Sequence, residues 1–353
     1  MRARLEDVCE RGSSNLRQAD VAGRSGDYPI YGASGYIGNV DFYHQEKPYV
    51  AVVKDGAGIG RTTLLPAKSS VIGTMQYLLP KDTVLPEYLS YVVQYMHLEK
   101  YFSGATIPHI YYRDYKNEEF NLDCIEKQTE IVGVLIRTEG IIAARQQQLQ
   151  KLDELVKARF VEMFGIYPAN PKGWETGTIR DVVSDVRYGS SRPAVDGGKY
   201  PYLRMNNITY GGELDLSDTK RIDIPDNELD KCTVRRGDVL FNRTNSKELV
   251  GKTCVYNRDD MMVLAGFVIR VRVSERILPE FLSEFLNTEF SKQMLLAMCK
   301  TAIGQANINA QEMQNIGLYL PPIELQRKFV QFKEQTDKSK VAVQTALRKK
   351  GII

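Results

Sequence analysis

Residues 85–90 read Leu-Pro-Glu-Tyr-Leu-Ser, and residues 278–283 read Leu-Pro-Glu-Phe-Leu-Ser. Three further pairs of short segments match in the same order along the chain. Residues 5–8 correspond to 179–182, residues 28–31 to 200–203, and residues 125–128 to 323–326. The spacing between matched segments grows from 174 residues at the first pair to 198 at the last. The sequence therefore predicts two copies of one fold, with extra loop residues in the second copy.

Each copy is predicted to be a mixed α/β unit. Residues 49–54 (YVAVVK) and 238–242 (DVLFN) have the composition of short strands that run into polar, glycine-bearing turns. A helix is expected after each Leu-Pro-Glu, because proline suits the first helical turn and glutamate favours the positive end of the helix dipole. In the second copy this predicted helix covers residues 279–298.

A long helix is predicted after each copy. From Ile131 to Met163 the seam positions step alternately by four and three, and they are mostly apolar, with charged interruptions at Arg145 and Arg159. Positions 329, 332, 336, 339, 343 and 346 repeat this spacing, so we expect the two helices to pack together. A helix over residues 128–164 would be roughly 55 Å long. The predicted boundaries are a first domain (1–125), a first spacer helix (126–166), a second domain (167–322) and a second spacer helix (323–353).

Composition limits the class of protein. A chain of 353 residues should form at least two domains. It has no long uncharged apolar run and no apolar leader, so we expect a soluble, cytoplasmic protein without membrane contact. The five scattered cysteines do not suggest a zinc site or a disulfide framework, and we predict that they are buried, inert thiols. Lys and Arg number 47 against 44 Asp and Glu, so net charge argues only weakly for nucleic acid.

The sequence contains no convincing catalytic constellation. Gly56, Gly58 and Gly60 follow a predicted strand, but neither the phosphate-loop spacing nor the dinucleotide fingerprint is present. The Pro321-Pro322 pair lacks the polar residue that an amino-methyltransferase motif requires, and the three histidines are dispersed. We therefore predict that the chain has no catalytic residue, no metal site and no cofactor.

Polar loops that recur in both copies favour nucleic-acid recognition. Residues 242–247 (NRTNSK) follow a strand, and Arg can pair with guanine and Asn with adenine, while Ser, Thr and Lys suit phosphates. Loops 187–192 and 301–307 are similar, as are loops 31–35, 54–56 and 106–109 in the first copy. Basic residues also cluster between positions 231 and 258. The predicted DNA contacts are Ser34, Lys54, Arg61, His109, Arg187, Ser191, Arg192, Arg204, Asn242, Arg243, Thr244, Asn245, Lys247, Gln305 and Asn307.

Four segments carry a family resemblance. They are residues 28–35 (YPIYGASG), 158–165 (ARFVEMFG), 237–245 (GDVLFNRTN) and 320–326 (LPPIELQ). In this order, within a duplicated chain, they resemble the specificity subunits of type I restriction-modification systems, and the resemblance covers essentially the whole chain. Residues 122–128 (LDCIEKQ) depart from the pattern because the prolines are missing, which leaves the start of the first long helix open.

The resemblance implies two target recognition domains related by a pseudo-twofold repeat. Each would read one half of a bipartite site in double-stranded DNA, and paired antiparallel coiled-coil helices would set the spacing. Two methyltransferase subunits are the implied partners, and a motor-endonuclease subunit can be added to them. Three alternatives remain open: a related system with a fused methyltransferase-nuclease partner, a stand-alone enzyme that uses the Gly56–Gly60 loop, and a coiled-coil scaffold that does not touch DNA.

Overall fold

The computed structural model describes residues 1–104, 107–302 and 305–348, without the side chains of residues 300–302 and 305. It divides into two compact units, Met1–Ala143 and Ala144–Ile353. The fold class predicted from the sequence is confirmed, because each unit combines several sheets with helices.

The first unit contains short strands and short helices. Its strands are β1 (Arg2–Arg4), β2 (Cys9–Ser13), β3 (Tyr28–Gly32), β4 (Gly35–Val40), β5 (Tyr49–Val53), β6 (Thr62–Leu65), β7 (Ser70–Val71), β8 (Met75–Pro80) and β9 (Glu119–Asn121). Its helices are α1 (Leu5–Val8), α2 (Gln18–Val21), α3 (Pro86–Tyr95) and α4 (Tyr112–Tyr115), with a 3-10 helix at Leu98–Tyr101. The long helix α5 (Ile125–Phe164) begins in this unit.

Strand β5 lies within the main sheet of the first unit. That sheet has the order β2-β8-β5-β6 and is antiparallel throughout. All five residues of β5 are buried. Val50 and Val52 pack with Leu89 and Val93 of α3, whereas Tyr49 and Ala51 belong to a separate apolar cluster. Alternate side chains of a strand point to opposite faces, so both faces of this sheet are covered.

The second unit has more elements than the first. Its strands are β10 (Glu175–Thr178), β11 (Val183–Tyr188), β12 (Tyr200–Leu203), β13 (Lys220–Ile222), β14 (Thr233–Val234), β15 (Val239–Asn242), β16 (Thr244–Asn245), β17 (Thr253–Val255), β18 (Met262–Leu264), β19 (Val268–Val273), β20 (Lys300–Ala302), β21 (Gln305–Asn307) and β22 (Gly317–Leu320). Its helices are α6 (Asp226–Cys232), α7 (Pro279–Asn287), α8 (Glu289–Met298), α9 (Ala310–Gln314) and α10 (Ile323–Arg348), with 3-10 helices at Ile179–Val182 and Met205–Asn207.

The second unit repeats the topology of the first. Its main sheet, β11-β19-β15-β17, has the strands in the same relative order and is again antiparallel. Strand β3 pairs in parallel with β7 and antiparallel with β4, and β12 makes the same two kinds of pairing with β18 and β13. The terminal pair β1-β9 corresponds to β10-β22. The internal repeat predicted from short sequence matches is therefore present in the fold, and β16, β20 and β21 form a small additional sheet.

The two long helices pack against each other within the second unit. Phe160 and Phe164 of α5 contact Phe329 of α10, with ring centroids 5.2 and 5.7 Å apart. Nearer the other end of the contact, Lys340 forms an ion pair with Asp153. The pairing order shows that the helices run antiparallel. Helix α5 is 40 residues long, which corresponds to about 60 Å.

Three sequence predictions about these elements were wrong in detail. Residues 279–298 form two helices, because Thr288 has extended backbone and its hydroxyl caps α8 by accepting a hydrogen bond from the N–H of Ser291. The seam of α10 does not include Ser339 or Ala346, which are exposed. Lys340 and Leu347 are buried in their place, since Lys340 is neutralised by carboxylates around it.

The third prediction concerned the thiols. All five cysteines are free, and Cys9, Cys232 and Cys254 are buried as expected. Cys124, however, is exposed, and Cys299 is half-buried. Cys124 lies immediately before the first residue of α5, outside the core of the first unit.

Candidate nucleic-acid interface

A cavity of about 470 Å³ opens at the ends of four strands in the second unit. It lies where the chain leaves β11, β12 and β15 and where it approaches β19. The lining residues are Ser190, Ser191, Arg192, Pro193, Ala194, Tyr202, Arg204, Met205, Asn206, Arg243, Ala265, Gly266 and Phe267. Four of the predicted DNA contacts, Ser191, Arg192, Arg204 and Arg243, thus line one concave surface although they are far apart in sequence.

The backbone of Arg243 is held on both sides. Its N–H donates to Phe267 O at 3.0 Å, and its carbonyl accepts from the N–H of Ile308 at 2.9 Å. Asn242, one position earlier, is fully buried, and its Nδ2 donates to Leu249 O at 3.3 Å. The structure therefore assigns Asn242 to closing the 242–249 loop and not to an exposed surface. Arg243 is the first residue of this segment that reaches the cavity.

The guanidinium of Arg243 stacks on an aromatic ring. Its Cζ lies 5.0 Å from the ring centroid of Tyr188, and the hydroxyl of Tyr188 accepts a hydrogen bond from the N–H of Ala310 at 2.8 Å. Nη1 of Arg243 makes one long contact with Gly266 O at 3.4 Å, and its buried Nε has no acceptor among the described residues. The stack orients the guanidinium plane and leaves most of its donors available.

The other two arginines of the cavity are each paired with a carboxylate. Arg192 binds Glu228 through two contacts of 2.7 and 3.3 Å, and the hydrogen bond from Arg192 lowers the pKa of Glu228. Arg204 donates from Nη2 to Asp218 Oδ2 at 2.8 Å. Both carboxylates are therefore ionised at neutral pH, and they balance the charge of the two arginines.

Arg187 lies outside the cavity lining, on the exposed side of β11. Its Nε donates to Asp185 Oδ1 at 2.9 Å, and Nη2 of the buried Arg270 donates to Oδ2 of the same carboxylate at 2.7 Å. Burial would raise the pKa of Asp185, but the hydrogen bonds from Arg270 and Arg187 outweigh it and lower that pKa. Arg187 is thus part of a charge-balanced pair.

The small sheet β16-β21-β20 groups further predicted residues. Thr244 is opposite Asn307 and Asn245 is opposite Ala306 in the antiparallel pairing of β16 with β21. Lys247 is exposed in the turn that follows β16. The side chain of Gln305 lies outside the part of the chain that the structure describes, as do residues 303 and 304 of the predicted 301–307 loop.

In the first unit, Lys54 and His109 meet at Asp55. Nδ1 of His109 lies 2.7 Å from Asp55 Oδ1, and Lys54 Nζ contacts Asp55 Oδ2. Burial would raise the pKa of Asp55, but hydrogen bonds from Lys54 and His109 lower it. Gly56 N–H donates to Pro108 O at 2.9 Å, so the glycine loop is joined to the 107–110 segment. Thr106 of the predicted 106–109 loop is outside the described residues.

The remaining first-unit candidates occupy hairpin turns. Arg61 is exposed just before β6, and a methyl group added at Gly58 would lie 2.1 Å from its Nη2, so the loop needs glycine there. Ser34 is exposed in the turn between β3 and β4. The Gly56–Gly60 segment connects β5 to β6, in agreement with the hairpin tip predicted from the sequence.

Sequence reasoning did not select several residues that shape the second-unit cavity. Tyr188 orients Arg243, Phe267 forms an exposed apolar edge, and Glu228 and Asp218 hold the other arginines. Tyr188 stands next to Arg187 in a quoted polar loop, and an aromatic residue beside arginine was an available signal. The two carboxylates gave no comparable signal, because nothing local links them to their arginines.

Two classes of site were searched for across the chain. In the described ranges, no group of three or more His, Cys, Asp or Glu side chains is arranged to hold a metal ion. Among the helices that the structure describes, none is long and apolar enough to cross a membrane.

Comparison with known proteins agrees with this fold. The sequence profile of the family described as type I restriction modification DNA specificity domain matches residues 1–154 and 171–350. The chain therefore belongs to this family. The expected resemblance to type I specificity subunits is confirmed.

Individual relatives are more distant. The EcoKI specificity subunit of Escherichia coli K12 is 27% identical over 161 residues, which cover 44% of this chain and 34% of that protein. The StySPI specificity subunit of Salmonella potsdam is 25% identical over 167 residues, covering 46% of this chain and 36% of that protein. The matched part thus spans about a third of the length of these curated relatives.

Solved structures match over nearly the whole chain. The S subunit of a type I restriction-modification system from M. genitalium covers 99% of this chain and 92% of its own, with a TM-score of 0.59 and 14% identity. A chain from a study of complex assembly and conformational transition of the type I R-M system has a TM-score of 0.58 at 17% identity, covering 99% and 93%. At these identities the likeness establishes the fold.

Proposed function

We propose that this chain is the DNA sequence-specificity subunit of a type I restriction-modification complex, with one recognition domain in 1–125 and the other in 167–322. The observation that carries the proposal is duplication with divergence. The two units share the order of their main sheets, whereas the second unit alone has the small β16-β21-β20 sheet and the arginine-lined cavity. One scaffold with two different polar surfaces is suited to reading two different half-sites of double-stranded DNA.

The long helices are proposed to set the distance between the half-sites. Helix α5 is continuous over 40 residues, and its second half packs antiparallel on α10. A continuous helix has a fixed rise per residue, so its length defines a distance. Two rigidly linked domains also gain affinity and specificity together, because the second domain binds at a high effective concentration.

The chemistry is assigned to partner subunits. We propose that two methyltransferase subunits dock on the helices and modify adenine, and that a motor-endonuclease subunit can join them. One of the similar solved structures comes from a study of complex assembly in a type I system, which supports the role of an assembling subunit. The chain contributes recognition without catalysis or a cofactor, in the compartment of the host DNA, which we take to be the cytoplasm.

The alternative of a nucleotide-binding loop is less well supported by the geometry. Within the Gly56–Gly60 hairpin, the N–H of Gly56 donates to Pro108 O and the N–H of Gly60 donates to Val53 O, both at 2.9 Å. A phosphate cradle uses free backbone N–H groups, and these two are already engaged. A scaffold without DNA contact, or a fused methyltransferase-nuclease partner, is distinguished by experiment.

The test is methylome sequencing of a host that expresses the chain with its methyltransferase partner. The proposal predicts methylation at a bipartite motif, two short sequences separated by an unspecified spacer, only when the chain is present. The matched control is the partner expressed alone. A continuous motif, or the same methylation without the chain, would contradict the proposal, and methylation by the purified chain alone would contradict its non-catalytic role.

A further inference from the structure

We propose that Arg243 reads a guanine in the half-site of the second domain, and that Tyr188 is the positioning residue that orients its guanidinium. The inference rests on the proposed function and adds to it the identity of one recognised base and the residue pair that recognises it.

Charge pairing separates Arg243 from its neighbours in the cavity. Arg192 is bound to Glu228 and Arg204 to Asp218, at 2.7 and 2.8 Å. Arg243 has no carboxylate partner within the described residues, and its buried Nε has no acceptor there. A buried donor without an acceptor is costly, so the cavity is arranged for a ligand that supplies acceptors.

The orientation of Arg243 is fixed before any ligand arrives. Its backbone is hydrogen-bonded to Phe267 on one side and Ile308 on the other, at 3.0 and 2.9 Å. Its guanidinium stacks on Tyr188, whose hydroxyl is held by the N–H of Ala310. A planar group held in this way loses little conformational entropy when it binds, and it presents parallel donors in one plane.

The donor pattern selects guanine among the bases. Arginine carries only donors, and guanine is the base whose major-groove edge presents two neighbouring acceptors, N7 and O6. Adenine places a donor beside N7, so it cannot satisfy both N–H groups. A phosphate also offers acceptors, but the apolar side chains of Met205, Ala265 and Phe267 in the cavity wall favour a base edge over a fully charged group.

The experiment compares variants in the complete complex with its methyltransferase partner. Methylome sequencing gives the motif, and binding of the purified complex to four duplexes, differing only at the assigned position, gives the base preference of weakly active variants. The variants are Arg243→Lys, Arg243→Ala, Tyr188→Ala and Tyr188→Phe. Arg180→Ala is the matched control, because Arg180 is an exposed arginine that bonds Asn315 and does not line the cavity.

We expect one guanine position of one half-site to lose its preference by about 10- to 100-fold in both Arg243 variants. Lysine keeps the charge but not the planar pair of donors, so Arg243→Lys should behave like Arg243→Ala. Tyr188→Ala should weaken the same preference, whereas Tyr188→Phe, which keeps the ring, should preserve it. Arg180→Ala should leave the motif unchanged.

Three results would overturn the inference without touching the proposed function. They are a wild-type motif that lacks guanine in the affected half-site, a motif unchanged in every variant, and a uniform loss of affinity for all four duplexes with Arg243→Lys near wild type. The last result identifies a phosphate contact. Failure of the wild-type complex to give any chain-dependent motif would instead refute the proposed function itself.

Discussion

Gln326 accepts a hydrogen bond from the backbone N–H of Leu278 at 2.9 Å, and Gln128 makes the same contact with Leu85 at 2.8 Å in the first unit. Both glutamines are fully buried. Each also donates to a carbonyl just before its own long helix, Pro321 O and Asp123 O, at 2.8 Å. The two sequence matches that first indicated the repeat are therefore the two ends of one contact, which joins each Leu-Pro-Glu helix to the start of a long helix.

Removing this contact should destabilise one unit at a time. Gln326→Ala leaves the buried N–H of Leu278 without an acceptor, and we expect a loss of about 1–3 kcal/mol in the free energy of unfolding. The reporter is the fluorescence of Trp174, the chain's single tryptophan, which lies in the second unit. Denaturant titration should show the loss with Gln326→Ala and not with Gln128→Ala. Equal shifts of the Trp174 transition in both variants would contradict independent roles.

Lys340 is the buried cation of the helix pair, and its replacement should reveal how the pair is stabilised. Its Nζ contacts Asp153, and it lies 3.6 Å from Glu213 and 3.4 Å from Asp337. Because the carboxylates are half-exposed or more, we expect Lys340→Ala to cost about 1–3 kcal/mol and Lys340→Met, which refills the apolar space, to cost less. Trp174-monitored unfolding measures both, with the exposed neighbour Lys338→Ala as control. A Lys340→Ala value equal to that control would refute a structural role.

Lys292 should make stability depend on pH. Burial, together with the nearby charges of Lys252 and Lys157, lowers its pKa from 10.5 to about 8, and its buried Nζ has no hydrogen-bond partner within the described residues. Between these two pH values the unfolded chain binds a proton that the folded chain has released, so stability rises with pH.

Lys292→Met removes this effect and should be more stable than wild type at pH 7. The advantage should shrink as pH rises from about 8 towards 10.5. Denaturant unfolding of both proteins at pH 7 and pH 10 measures the difference. A difference that does not change with pH would show that Lys292 is not the group responsible.

Asn242 and Asn245 should separate folding from recognition. Asn242→Ala removes the contact of its amide with Leu249 O and should lower the free energy of unfolding by about 1 kcal/mol or more. Asn245, half-buried on β16, should be dispensable for folding, and its replacement by Ala should weaken binding by about 1–3 kcal/mol for one half-site only. Thermal unfolding and binding of the complex to DNA measure the two effects. Loss of stability in both variants would assign both residues to the fold.

Local patterns predicted the scaffold because local physics determines it. The run YVAVV specifies β5, and the Leu-Pro-Glu segments begin α3 and α7 where helix chemistry places them. The cavity was not predictable in the same way, since Arg204 and Arg243 come together only through parallel and antiparallel pairing of distant strands. Lys340 was read as a surface residue for a similar reason, because two of the carboxylates that permit its burial come from other elements.

Helix length is the feature that links this fold to the proposed function most directly. Residues 143–149 of α5 and residues 341–347 of α10 lie on the same side of the Asp153–Lys340 pair, because the helices are antiparallel. Deleting both segments removes one heptad from each helix and keeps the packing of Phe160 on Phe329 in register. Seven helical residues correspond to about 10 Å, or about three base pairs of DNA.

The most direct measurement is the methylome of a host that expresses this double deletion with the methyltransferase partner, compared with the wild-type chain. The account predicts the same two half-site sequences in both, with a spacer about three base pairs shorter in the deletion variant. An unchanged spacer, or methylation at a continuous motif in either host, would contradict it.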